Sequence, residues 1–221
     1  MTSTLTFQNL SFHQMPTGKV RISLLKNFYF ELDKQDLEKI GILNIPDPHT
    51  IQFEGTAQGK AEKKFSFLLG KHITDLKSIR GRNTATYVHQ NSGIPLMGAL
   101  SFGIADKGSN LLEIKPITGC NMGCIFCSVD EGIGTRKTHE FIVEKDYLVA
   151  ETKKLLDFKK HKDVIVYINS HGEPFLYADM VGLVEDLRKI KWIKEVHIIT
   201  NGTYLTEDLV NKLNSAKLTH L

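Results

Sequence analysis

Three cysteines fall within eight residues, Cys120, Cys124 and Cys127, and the chain has no others. Thiolates are soft ligands suited to iron–sulfur clusters and to zinc. An odd, tightly spaced set makes a poor disulfide framework, so the spacing points to a metal site in a reducing compartment. Three thiolates can hold three irons of a cubane. The fourth iron then keeps an open coordination position, where a small molecule can bind. The competing reading is a non-catalytic metal-binding module, with zinc or an iron–sulfur group as its staple. Zinc wants four ligands, and the nearest further candidates, His139 and His171, do not stand at zinc-finger spacing.

Two further strings have chemical meaning through their position. Ser170-His171-Gly172-Glu173-Pro174 follows an apolar run at 164–169, and Thr200-Asn201-Gly202 follows another at 196–200. In α/β folds, ligands bind at the carboxyl ends of parallel strands. A glycine there lets backbone approach a ligand. Each string alone also reads as a plain turn, Asn-Gly above all.

The C-x3-C-x2-C spacing, with Phe126 just before the last cysteine, resembles the signature of the radical S-adenosylmethionine (SAM) superfamily. The resemblance implies a [4Fe-4S] cluster on Cys120, Cys124 and Cys127. It implies SAM as cofactor, chelating the unique iron and cleaved reductively to a 5′-deoxyadenosyl radical. Phe126 would lie near the adenine. Gly172, Glu173 and Pro174 resemble the family's Gly-Glu-Pro segment, which contacts the SAM amino group; Thr200 and Asn201 resemble a segment near the SAM pocket. His171 stands where many members have glycine, which bears on the local backbone path. The implied partners are SAM, a substrate that the sequence does not identify, and an electron donor such as ferredoxin or flavodoxin. A narrower likeness, carried by residues 102–110 and 127–132, is to a group of archaeal radical SAM proteins of poorly defined role.

The elements that must position these residues change character near residue 110. Before it, Val20, Ile22 and Leu24, then Phe28, Phe30 and Leu32, then Ile51 and Phe53 alternate with polar residues, as half-buried strands do. Phe65 and Phe67 around Ser66 fit the same period, and a short helix is predicted at 34–40. After residue 110, strands at 111–117, 164–169 and 196–200 alternate with helices at 144–159 and 179–190 and one capped by Thr206. The run at 164–169 is apolar enough to predict a strand buried on both faces. The fold class expected is therefore α/β: a partial (β/α) radical SAM barrel with parallel strands over 111–221, preceded by a β-rich accessory domain over 1–110. A new strand is expected to start at Leu218, which makes the chain read as the N-terminal part of a longer enzyme.

Bulk properties exclude little. The formal net charge of +3 in 221 residues gives no argument for nucleic acid. Lys60, Lys63, Lys64, Arg80 and Arg82 make the N-terminal half locally basic, but aromatic residues are sparse among them. No apolar run is long enough to span a bilayer and no signal peptide is evident, so a cytoplasmic protein without membrane contact is expected. Asp130, Glu131, Arg136, Lys137 and His139 are expected in a solvated polar loop.

Overall fold

The computed structural model describes residues 1–80 and 83–221; Arg82 of the basic group lies outside the described residues. The chain divides into two compact units, Met1–Thr86 and Tyr87–Leu221.

The first unit is β-rich. Strands β1 (Thr2–Thr6), β2 (Leu10–Gln14), β3 (Lys19–Leu24) and β4 (Phe28–Asp33) are followed by helix α1 (Lys34–Glu38). Then come β5 (Ile42–Asp47), β6 (Thr50–Glu54), helix α2 (Gln58–His72) and β7 (Lys77–Ser78), and the unit ends within β8 (Thr84–Val88). β2, β3 and β4 form an antiparallel meander in which Val20 faces Leu32 and Ile22 faces Phe30. β1, β6 and β5 form a second antiparallel sheet.

The Phe65–Ser66–Phe67 string is not a strand. It lies inside α2, where Phe65 is buried and Phe67 is 72% exposed. Residues i and i+2 share one face of a strand but fall on nearly opposite sides of a helix, so the split burial of the two rings is what a helix gives; three residues are too few to establish either period from sequence. Phe65 packs against the rings of Phe7, Phe12 and Phe53 at centroid distances of 5.6–6.0 Å.

The second unit holds β9 (Gly103–Asp106), β10 (Leu111–Lys115), β11 (Thr118–Gly119) and β12 (His139–Val143). It continues through α3 (Lys145–Lys159), β13 (Val164–Ile168), β14 (His171–Gly172), α4 (Met180–Arg188), β15 (Ile193–Ile198) and α5 (Glu207–Ser215). Its main sheet runs β15-β13-β10-β9. β10, β13 and β15 are parallel, and β9 is antiparallel to β10. That pairing puts residues 103–106 in the same unit as the parallel strands, although the composition changes only near residue 110. The expected last strand is present as a single parallel bridge, His197 to His220.

Helices α3 and α4 supply Leu148, Leu156, Met180, Leu183, Val184 and Leu187 to the core. They meet Leu112, Ile114, Val166, Ile168, Val196 and Ile198 of the strands, all buried. The run at 164–169 is nevertheless not buried on both faces: Val164, Val166 and Ile168 are buried, whereas Ile165 and Tyr167 are half-exposed. The same alternation holds in β10 and β15. At the far end, the Thr206 hydroxyl caps α5 by accepting from Leu209 N, as expected. Among the described residues, no helix is long and apolar enough to cross a membrane.

The burial of α2 predicts a sharp contrast. Phe65→Ala should destabilise the chain by about 3–5 kcal/mol, and Phe67→Ala by no more than about 0.5 kcal/mol. Urea unfolding followed by circular dichroism measures both; equal losses would contradict the helical facing.

Candidate metal centre

The three cysteines begin immediately after β11. Gly119 has φ +95°, a conformation that side-chain-bearing residues rarely take. It pairs in parallel with Gly172 of β14, and Thr118 pairs with His171. The approach is so close that a Cβ on Gly172 would stand 1.9 Å from the Gly119 carbonyl oxygen, and Gly172 itself has φ +129°. Only glycine fits there. Glu173 N then donates to Gly119 O at 2.9 Å. The sequence around Glu173 is thus fastened to the residue before Cys120.

The loop that follows folds back on itself. Cys120 N donates to Glu131 O at 2.9 Å, and Ile133 N to Met122 O at 3.2 Å. A Cβ on Gly132 would meet Met122 O at 1.6 Å, and one on Gly123 would meet Ile133 O at 2.6 Å. Gly123 and Gly132 are therefore needed for the loop's two arms to touch. Cys127 N donates to Cys124 O at 3.0 Å and closes a turn between them. All three thiols are free; those of Cys120 and Cys124 are half-buried and that of Cys127 is exposed. At the base of the loop, Phe141 N donates to Thr118 Oγ1 at 2.8 Å, so β12 brings the chain back to β11.

Glu173 joins the second string to the third. It is only 1% exposed. Its Oε1 accepts from Phe175 N at 2.9 Å and from the Thr200 hydroxyl at 2.7 Å, and its Oε2 accepts from Asn201 N at 2.9 Å. Thr200 Oγ1 in turn accepts from Gly202 N at 3.0 Å. Both carboxylate oxygens are thus committed to protein donors, which makes Glu173 a clamp between strand ends. Pro174 is buried at the first position of a short 3-10 turn that Glu173 caps.

Asn201 extends the network to the cysteine loop. Its Nδ2 donates to Asn121 Oδ1 at 2.9 Å and lies 3.8 Å from Cys120 Sγ. Asn121 Nδ2 donates to the Thr203 hydroxyl at 2.7 Å. Cys120, Gly172, Glu173, Thr200 and Asn201 are therefore drawn together. Phe126 stands apart from them, 86% exposed, on a loop whose Ile125 and Ile133 are also exposed.

Two residues of this segment depart from the solvated polar loop expected. Glu131 is buried, with Lys137 Nζ donating to its Oε1 at 2.5 Å. Burial pushes the Glu131 carboxyl above the usual range, and Lys137 offsets part of that rise. His139 opens strand β12 rather than lying in a loop. The signals missed were Gly123 and Gly132, and Asn121 with Thr203; their roles depend on which strands end side by side, which spacing alone does not give.

The donor set fits a thiolate-held cluster: three free thiols on a glycine-shaped loop, with the Asn201 amide donor beside one of them. The turn before Gly172 also carries two buried polar atoms without a partner, Ser170 Oγ and His171 Nδ1. His171 Nε2 faces Lys115 Nζ at 3.5 Å. Burial, then the Lys115 charge, holds this imidazole below its ordinary pKa.

Comparisons with known proteins agree. A family model described as the radical SAM superfamily matches residues 114–221, in the C-terminal half of the chain and not the N-terminal half. An uncharacterised protein of Methanocaldococcus jannaschii is 37% identical over 147 residues, 65% of this chain and 34% of that protein. GTP 3′,8-cyclase of Listeria welshimeri is 33% identical over 110 residues, 50% of this chain and 31% of that enzyme. GTP 3′,8-cyclase of Clostridium botulinum (strain Hall) is 32% identical over 111 residues, 49% of this chain and 32% of that enzyme. The chain thus spans about a third of the length of these relatives. Residues 114–221 are a domain of the radical SAM superfamily, whose members use a [4Fe-4S] cluster and S-adenosylmethionine.

Proposed function

We propose that this chain contributes the cofactor-binding core of a radical SAM enzyme, with Cys120, Cys124 and Cys127 as the cluster ligands. In this reading β10, β13 and β15 are the first strands of a partial barrel, and the β-rich unit Met1–Thr86 is an accessory domain that selects or positions the substrate. The observation that carries the reading is the Glu173 clamp. It supports a single site because it ties the second and third strand ends together beside Cys120.

The chemistry that such a cluster supplies when bound is the reductive cleavage of SAM. The chain's own residues would bind and orient. Gly172 lets the backbone lie close beside the cysteine loop, and Pro174 fixes the turn after it. Glu173 holds Thr200 and Asn201 in place and acts as a positioning residue, since its oxygens are used within the protein. Asn201 lends an amide donor near the Cys120 sulfur, which favours the thiolate. Phe126 offers an apolar ring beside Cys127 that can cover an adenine. The exposed Cys127 side of the loop is open to a small electron donor such as ferredoxin or flavodoxin. The likeness to GTP 3′,8-cyclases covers about half of the chain and supports this core; the substrate is a separate matter.

The direct test is anaerobic reconstitution of the chain with iron and sulfide, followed by dithionite and SAM. Formation of 5′-deoxyadenosine that depends on all three cysteines is expected. A colourless protein that takes up zinc and no iron would instead favour the non-catalytic module. Cys124→Ala should lose most of its cluster iron, because two thiolates hold a cubane poorly; iron counted per chain measures this, and full retention would remove Cys124 from the site. Glu173→Ala leaves the donors of Phe175, Thr200 and Asn201 without their acceptor. It should cost at least about 2 kcal/mol of stability and weaken SAM binding, read by urea unfolding and equilibrium dialysis. Unchanged SAM affinity in that variant would dissociate the clamp from the cofactor site.

A further inference from the structure

The face of the β10, β13 and β15 sheet turned away from α3 and α4 carries polar side chains, and three of them converge. Glu195 and His197 are two residues apart on β15, so they project from the same side. His220 is bridged in parallel to His197 on the neighbouring segment. Register therefore sets two imidazoles and a carboxylate side by side. His197 Nε2 lies 2.8 Å from Glu195 Oε2, and His220 Nδ1 lies 3.8 Å from the same oxygen. The two imidazole centroids are 4.0 Å apart. One ligand atom from each residue lies within 4.8 Å of the others.

We infer that Glu195, His197 and His220 form a second metal site, for a divalent transition-metal ion, distinct from the cysteine centre. Two imidazoles and one carboxylate are a recurrent three-ligand set for zinc and for non-haem iron, and they leave coordination positions open. Zinc held at ordinary bond lengths would need ligand atoms about 3.3 Å apart. The Glu195–His197 pair already stands closer than that, and the His220 contact is only slightly longer. The side chain of His220 is 60% exposed, so it can turn to close the set, while those of His197 and Glu195 are 15% and 27% exposed and held in place. The Tyr167 ring stands edge-on to His197 at 4.7 Å and fixes its plane. The site lies on the strand faces, and the cysteines lie past the strand ends. An ion here would offer open positions to an oxygen- or nitrogen-bearing ligand on that face.

The inference does not depend on the radical SAM reading, and its test keeps the two apart. The cluster is first loaded anaerobically, so that the cysteines are occupied. The protein is then equilibrated with zinc, and zinc and iron per chain are counted separately. About one zinc per chain is expected beyond the cluster iron. Loss of an outer-sphere partner alone costs about 10–100-fold in metal affinity, so His220→Ala should weaken zinc binding by at least about 100-fold. Its iron content and thermal unfolding should not change, because His220 is exposed. Glu195→Gln is the second variant, with the same expectation. Absence of zinc in the loaded wild-type chain, or zinc binding that survives both substitutions, would overturn the site and leave a hydrogen-bonded His–Glu pair with a second imidazole tilted beside it.

Discussion

The geometry at the ends of the parallel strands rests on one buried carboxylate. A carboxylate taken out of water must find full hydrogen-bonding compensation or it destabilises the fold. Glu173 finds it in three donors: two backbone amides and one hydroxyl. Two of those donors belong to the loop after β15, so the requirement to satisfy one charge fixes the relation between two strand ends. The close pairing of Gly119 with Gly172 then fixes both relative to the first cysteine.

The cysteine loop obeys a different constraint, which is steric. Its outgoing and returning arms touch where Gly132 lies against the Met122 carbonyl, so that no side chain could stand on Gly132. The burial of Glu131 follows from this, since that part of the returning arm is pressed into the structure, with the exposed Lys137 reaching back to its carboxylate. Electrostatics therefore governs the strand ends and packing governs the loop. Asn121 and Asn201 link the two.

Most of the parallel unit was legible in the sequence because its helices and strands carry clean periods. Leu148 and Leu156 recur at helical spacing, Val164, Val166 and Ile168 are apolar, and Thr206 stands before two acidic residues. The three cysteines and the two strand-end strings were legible for a related reason: residue type and order sufficed. What spacing could not give was direction. Gly-Glu-Pro does not say whether the carboxylate faces a ligand or the protein, and here it faces the protein. Phe65–Ser66–Phe67 was misread because three residues are too few to show a period, and its two rings fall on opposite sides of α2. β12 was missed because His139 and Glu140 disguise a strand whose apolar residues come at its end. The Glu195, His197 and His220 group could not be found without the register that sets position 197 beside 220.

The one-sided covering of the main sheet has a consequence for how such a domain can change. Along each parallel strand, one set of alternate residues meets the helices and holds the fold together. The other set is only partly covered and includes Glu113, Tyr167, Glu195 and His197. Substitutions in the second set remove little buried apolar area. The chain can therefore change the chemistry that face presents at every second position, while the interleaved positions keep the scaffold unchanged.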